Sequence, residues 1–149
     1  MKDYLGIGAG AHSRLTDKEG VRWAFRTHRA PNKWLSETKS HGHAVTKKLC
    51  LSSEEQIFET LMMGLRLKKG ISTADFKNTF KKDIEEIFTG ETLGILLNER
   101  LIEMDNESFK ATSIGRQRLD ALIQFLFSDF DLDYHSSFFQ GILLANKEI

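Results

Sequence analysis

Cysteine is almost absent from this sequence: Cys50 stands alone. That excludes an intramolecular disulfide and any site held by cysteines alone, and it is the usage of a chain kept in a reducing compartment. Long apolar runs are missing as well. None approaches the ~20 residues of a membrane span, and no signal-peptide core follows Met1. These absences predict a cytoplasmic protein without a membrane span. No Ser/His/Asp, Cys/His or paired-carboxylate arrangement is legible, so no catalytic residue is assigned and the chain on its own is not read as a complete enzyme.

Net charge is the third absence, 21 Lys and Arg against 21 Asp and Glu, but it conceals an uneven distribution. Residues 1–51 hold ten cations against four acids, residues 52–127 ten against thirteen, and residues 128–149 one against four. The N-terminal third is therefore expected to meet an anion or an acidic surface.

What the chain does have is clearest after residue 51. Ser52 with Glu55, and Ser53 with Gln56, have capping-box spacing, and Ile57, Phe58, Leu61, Met62 and Leu65 follow at helical intervals. They predict a helix over 53–69, ending on Lys68, Lys69 and Gly70. Ser72 and Asp75 cap a second helix bearing Phe76 and Phe80, with Ile84, Ile87 and Phe88 extending its pattern; a third spans 91–99. Residues 101–104 and 109–112 read as two strands about a polar turn, and Thr112 or Ser113 starts a last helix with Leu119, Leu122, Ile123 and Leu126. The fold class expected is α+β, mostly α, with a winged-helix-like domain over 52–127. A winged helix raises DNA binding, but the helix Glu91–Asn98 and its flank carry Glu91 and Glu99 against Arg100, and the turn carries Asp105 and Glu107, a poor match to phosphate. No nucleic-acid partner is expected, and the DNA-binding module stays an alternative.

Before residue 52, Tyr4–Gly8 reads as a strand, Val21–Phe25 as another, and 27–49 as a basic, loop-rich linker around Pro31. Gly6, Gly8 and Ala11 fit the G-x-G-x-x-A spacing of dinucleotide-binding loops, yet the polar stretch from His12 to Gly20 is no helix start, and the βαβ context is missing. With no credible neighbours for the first strand, it is expected to close a sheet encoded upstream, and Met1 to mark an artificial or truncated start. The run from Arg22 to Trp34 interleaves cations with Trp23 and Phe25, suited to packing on a neighbouring domain or to an anionic planar ligand. His41-Gly42-His43 has no third ligand nearby, so no metal site is assigned. Residues 128–149 alternate Asp with apolar residues and form a tail of unassigned role.

The order Tyr4-Leu5-Gly6-Ile7-Gly8-Ala9-Gly10-Ala11-His12-Ser13, an Arg-rich stretch ending near Trp34-Leu35, Glu54-Glu55, Leu61-Met62-Met63-Gly64-Leu65-Arg66-Leu67, Gly70-Ile71, Phe76, Leu101-Ile102 and Thr112-Ser113-Ile114-Gly115 resembles the C-terminal part of the oxygen-independent coproporphyrinogen III oxidase (HemN/HemW) radical SAM family. It is most similar to the haem chaperone branch. The resemblance implies that residues 1–51 are the last strand and exit loops of a truncated β/α barrel, with Gly8, Gly10, Ala11 and His12 at the edge of the S-adenosylmethionine (SAM) pocket. It implies a 4Fe-4S cluster and SAM in the parent protein, whose C-x3-C-x2-C motif has no counterpart here. The implied partners are the missing N-terminal barrel, haem or porphyrin, and a haem-acceptor protein. For haem, His12, His28, His41 and His43 are the available ligands and Arg22, Arg26 and Arg29 the propionate partners. The alternative is the corresponding part of a coproporphyrinogen III dehydrogenase.

Overall fold

Two three-stranded antiparallel sheets organise the chain, one in each of two units that divide between Leu61 and Met62. The computed structural model describes residues 3–128; apart from Ser128, the expected tail lies outside them.

In the first unit β1 (His12–Thr16), β2 (Arg22–Thr27) and β3 (Val45–Cys50) pair in sequence order, and α1 (Pro31–His41) links β2 to β3. Asp17 closes the β1–β2 hairpin by accepting the amides of Glu19 and Val21 on Oδ1. Three expectations are corrected. Tyr4–Gly8 is not a strand: only Tyr4 bridges, antiparallel, to Arg14, because Gly8 and Gly10 at φ +107° and +73° turn the chain back onto β1. The first residues also find a neighbour within the chain, since Tyr4 bridges to β1, which itself pairs with β2 and through it with β3. The supposed loop-rich linker holds α1 and β3; Pro31 starts the helix, where its missing N–H costs nothing, and left-handed Gly42 ends it by donating to Thr38 O.

The interior of this unit is small and polar. Ala24, Ala44, Leu51, Ile57, Phe58 and Leu61 are buried together with Ser13, Arg14, Arg22 and Glu59. Buried charges are rare unless paired. Here Arg14 pairs with Glu59 and Arg22 with Asp3.

α2 (Ser53–Gly64) begins with the expected box: Glu55 N donates to Ser52 Oγ at 3.1 Å and Ser52 N to Glu55 Oε2 at 2.8 Å. Gln56 instead donates to Leu51 O, so the second box does not form. The helix stops five residues before the expected end. At Gly64 the chain presses on Ile71, where a Cβ would overlap that side chain, and residues 65–69 turn.

The second unit continues with β4 (Ile71–Ser72), α3 (Thr73–Phe80), a short 3-10 turn (Ile84–Glu86), α4 (Gly90–Asn98), β5 (Ile102–Met104), β6 (Ser108–Ala111), α5 (Ser113–Gln117) and α6 (Leu119–Leu126). The sheet order is β4-β6-β5. The expected strand pair is present, joined by Asp105, and β4 adds a third strand. Ser72, Thr89 and Thr112 cap α3, α4 and α5 through their hydroxyls. The single last helix expected after Thr112 is broken at Arg118 into α5 and α6. Phe76, Phe109, Leu96, Ile102, Leu122 and Leu126 form the core of this unit, with Phe127 edge-on to Phe88 at 5.7 Å. Among the described residues no helix is long and apolar enough to cross a membrane.

Candidate functional site

The glycine loop is held from beneath by Thr27. Its hydroxyl donates to Gly8 O at 2.7 Å and accepts from Ala11 N at 2.9 Å, while Thr27 N donates to Ala11 O at 3.0 Å. Gly10 N donates to His28 O at 2.7 Å. The amides of Gly10 and Ala11 are thus spent inside the protein, and the loop can offer a ligand its exposed edge but not these two donors. Gly10 also lies against Arg29, so loop and basic segment are adjacent.

Beyond the loop, the end of β2 with the two residues after it and the start of β3 form an open groove of about 280 Å³ lined by Arg26, Thr27, His28, Arg29, Thr46 and Lys47. A register shift between Arg26 and Thr27 breaks the β2–β3 ladder there, the local device that re-aims side chains at a strand end. Thr46 Oγ1 donates to Arg26 O at 3.1 Å, and His28 N to Ala44 O at 3.0 Å, so the backbone of the groove is pinned. Among the described residues Arg26, Arg29 and Lys47 have no carboxylate partner. Three cations and an imidazole on a wall that carries no carboxylate are suited to a ligand with carboxylate or phosphate groups.

His12 stands at the start of β1. Burial lowers its pKa below the ordinary histidine value, and the positive charges of Arg14 and Arg29 lower it further against the opposing Glu59. The shift favours its neutral form, the form that accepts a proton or coordinates a metal.

The structure separates the other nominated residues. Arg22 is 5% exposed and directed at Asp3, with Nη1 3.0 Å from Oδ1, so it is withdrawn from any propionate; it lies in β2 with its side chain on the buried face. His41, at the end of α1, is exposed and pairs with Glu37 at 3.1 Å. His43 follows the cap and accepts from Val45 N through Nδ1. Arg26, His28 and Arg29 are brought together; His41 and His43 do not join them in the groove.

Two features escaped the sequence reading. Lys47 comes from a strand hidden in the supposed linker. Lys48, its neighbour, lies 4.1 Å from the ring centroid of Trp23, which itself donates to Asp17. The signal that would have found α1 is Pro31 followed at helical length by Gly42, with Lys39 and His41 in the last turn.

Residues 51–118 match the family model described as the HemN C-terminal domain. Over 139 residues the chain is 26% identical to the mitochondrial radical S-adenosyl methionine domain-containing protein 1 of Danio rerio, covering 89% of the chain and 31% of that protein. It is 31% identical over 124 residues to the heme chaperone HemW of Buchnera aphidicola, covering 82% and 31%, and 30% identical over 114 residues to HemW of Lactococcus lactis, covering 76% and 28%. The solved structure of coproporphyrinogen III oxidase (HemN) from Escherichia coli, a radical SAM enzyme, superposes with a TM-score of 0.59 at 16% identity, over 84% of this chain and 28% of that one, which shows a shared fold. The chain spans less than a third of the length of these relatives.

Proposed function

Since residues 51–118 belong to the HemN C-terminal domain family and the chain is a relative of the HemN/HemW radical SAM proteins, we propose that it is the C-terminal part of a haem chaperone, a cytoplasmic protein that holds haem and passes it to an acceptor protein. The observation that carries this reading is the groove of Arg26, His28, Arg29 and Lys47, cationic and without an acid of its own. Haem presents two propionates and an iron that takes nitrogen ligands. Arg26, Arg29 and Lys47 would pair with the propionates, and the imidazole of His28, or of His12, would supply a nitrogen ligand to the iron.

In this reading residues 1–51 complete the parent's barrel, with Gly8, Gly10, Ala11 and His12 at the rim of its SAM pocket, and residues 52–127 are a winged-helix-like domain. A 4Fe-4S cluster needs three thiolates where this chain has only Cys50, so its own residues do not fit that group. Cluster and SAM, which supply radical chemistry when bound, fall to the parent's N-terminal barrel. That barrel is the first partner of this chain, and haem and the acceptor protein follow.

Titration of the chain with haemin tests the reading. A saturable Soret shift is expected, weakened in Arg26→Gln and Arg29→Gln, altered in His12→Ala or His28→Ala, and unaffected in His41→Ala and His43→Ala. Unchanged spectra in wild type, or equal binding in all variants, overturn it. For the whole parent protein, conversion of coproporphyrinogen III to protoporphyrinogen identifies the dehydrogenase instead.

A further inference from the structure

A second basic cavity lies in the other unit, where the turn after α2 meets the α5–α6 junction. Its volume is about 330 Å³, and its walls are Arg66, Arg116, Gln117, Arg118, Leu119, Asp120 and Ala121. We propose that this cavity binds a small polyvalent anion, a ligand carrying two or more phosphate or carboxylate groups.

Three guanidinium groups line it, and among the described residues none is ion-paired. Asp120 is the one carboxylate on the wall and bridges to none of them, which leaves an excess of two positive charges around a small volume. Guanidinium is the group whose planar fork matches carboxylate and phosphate. Convergent like charges repel, and a bound polyanion relieves that repulsion.

The backbones carrying these arginines are set close and firm. Gly64, two residues before Arg66, is pressed on Ile71, and the following turn is tied by Leu67 N to Gly64 O and Gly70 N to Leu67 O, each 3.0 Å. Gly115, just before Arg116, is pressed on the Leu101 carbonyl. Arg116 is anchored by Nη1 donating to Ala111 O at 2.7 Å, leaving its remaining N–H groups for a ligand. The volume lies at the small end of ligand pockets, the size for a metabolite and not a polymer.

The chain, labelled with 15N, is titrated separately with pyrophosphate and with citrate against sodium chloride of equal ionic strength. Saturable shifts are expected at Arg66 and over 115–121. Arg66→Gln and Arg118→Gln should each weaken the apparent Kd by roughly tenfold, the scale of losing a charge-assisted hydrogen bond. Asp120→Asn should tighten binding, and Arg29→Gln, in the other groove, should leave it unchanged. Binding of pyrophosphate alone assigns a phosphate ligand, of citrate alone a carboxylate ligand, and of both their shared chemistry. Shifts no larger than those with chloride, or binding indifferent to both arginine variants in spectra that stay dispersed, overturn the proposal. This test is independent of the haem titration.

Discussion

Arg14 in β1 and Glu59 in α2 form a buried bidentate ion pair 45 residues apart in sequence, with Arg14 Nε 2.8 and 2.9 Å from the two carboxylate oxygens and Arg14 Nη2 also on Oε1. Arg14 Nη1 donates in addition to Ser13 O. The pair joins the sheet of the first unit to the helix whose start lies in that unit, and it does so inside a core with few large apolar side chains.

Removing one partner leaves the other charge buried and unpaired. Glu59→Leu alone, or Arg14→Met alone, is expected to cost about 3–5 kcal/mol, whereas the two combined should cost much less, because no charge then remains to be desolvated. Urea unfolding of the two singles and the double closes the cycle; additive losses would show that the pair is not coupled.

Thr27 ties both ends of the glycine loop. Thr27→Val keeps the shape and removes two hydrogen bonds, for an expected loss of about 1–3 kcal/mol and faster amide exchange at Ala11. Unaltered exchange at Ala11 would place the loop's stability elsewhere.

His12 should titrate below 6.5 in the folded chain, burial being the first cause and Arg14 and Arg29 the next. The unfolded chain then holds the proton more tightly, so this group's contribution is complete above 6.5 and is lost as pH falls through the lower folded value. Arg29→Gln should raise the folded pKa by removing a positive neighbour. An NMR titration reads both, and a His12 that protonates at or above the free value, or ignores Arg29, contradicts the electrostatics.

Two glycines in the second unit should respond oppositely to alanine. At Gly115 a Cβ would fall on the Leu101 carbonyl, a backbone atom that cannot step aside, so Gly115→Ala should destabilise by about 1–3 kcal/mol or more. Gly94 lies inside α4 with nothing within 4 Å of the added methyl, and Gly94→Ala should stabilise by about 0.5–1 kcal/mol. Thermal melts of both variants decide whether close backbone approach is what sets the first glycine apart.

The second unit was largely legible in the sequence because its signals are local. Ser72–Asp75, Thr112 and the Asp105 turn act across three or four residues, and Leu119, Leu122, Ile123 and Leu126 repeat at helical spacing. α1 and β3 were not. α1 buries no side chain completely and β3 is exposed along its whole length, so neither has the apolar period by which an element is read.

Of the proposed haem site, the sequence named Arg26, His28 and Arg29 as candidates but could not say that they share a groove, nor add Lys47. It also could not see that Arg22 is turned inward to Asp3 or that His41 is occupied by Glu37. What the sequence by itself determined is the capped helices, the turns, the single cysteine and the basic N-terminal third. Tertiary structure alone decided which cations stay unpaired, since pairing depends on distances between residues such as Arg14 and Glu59 that are far apart along the chain and meet only when strand register fixes the backbone.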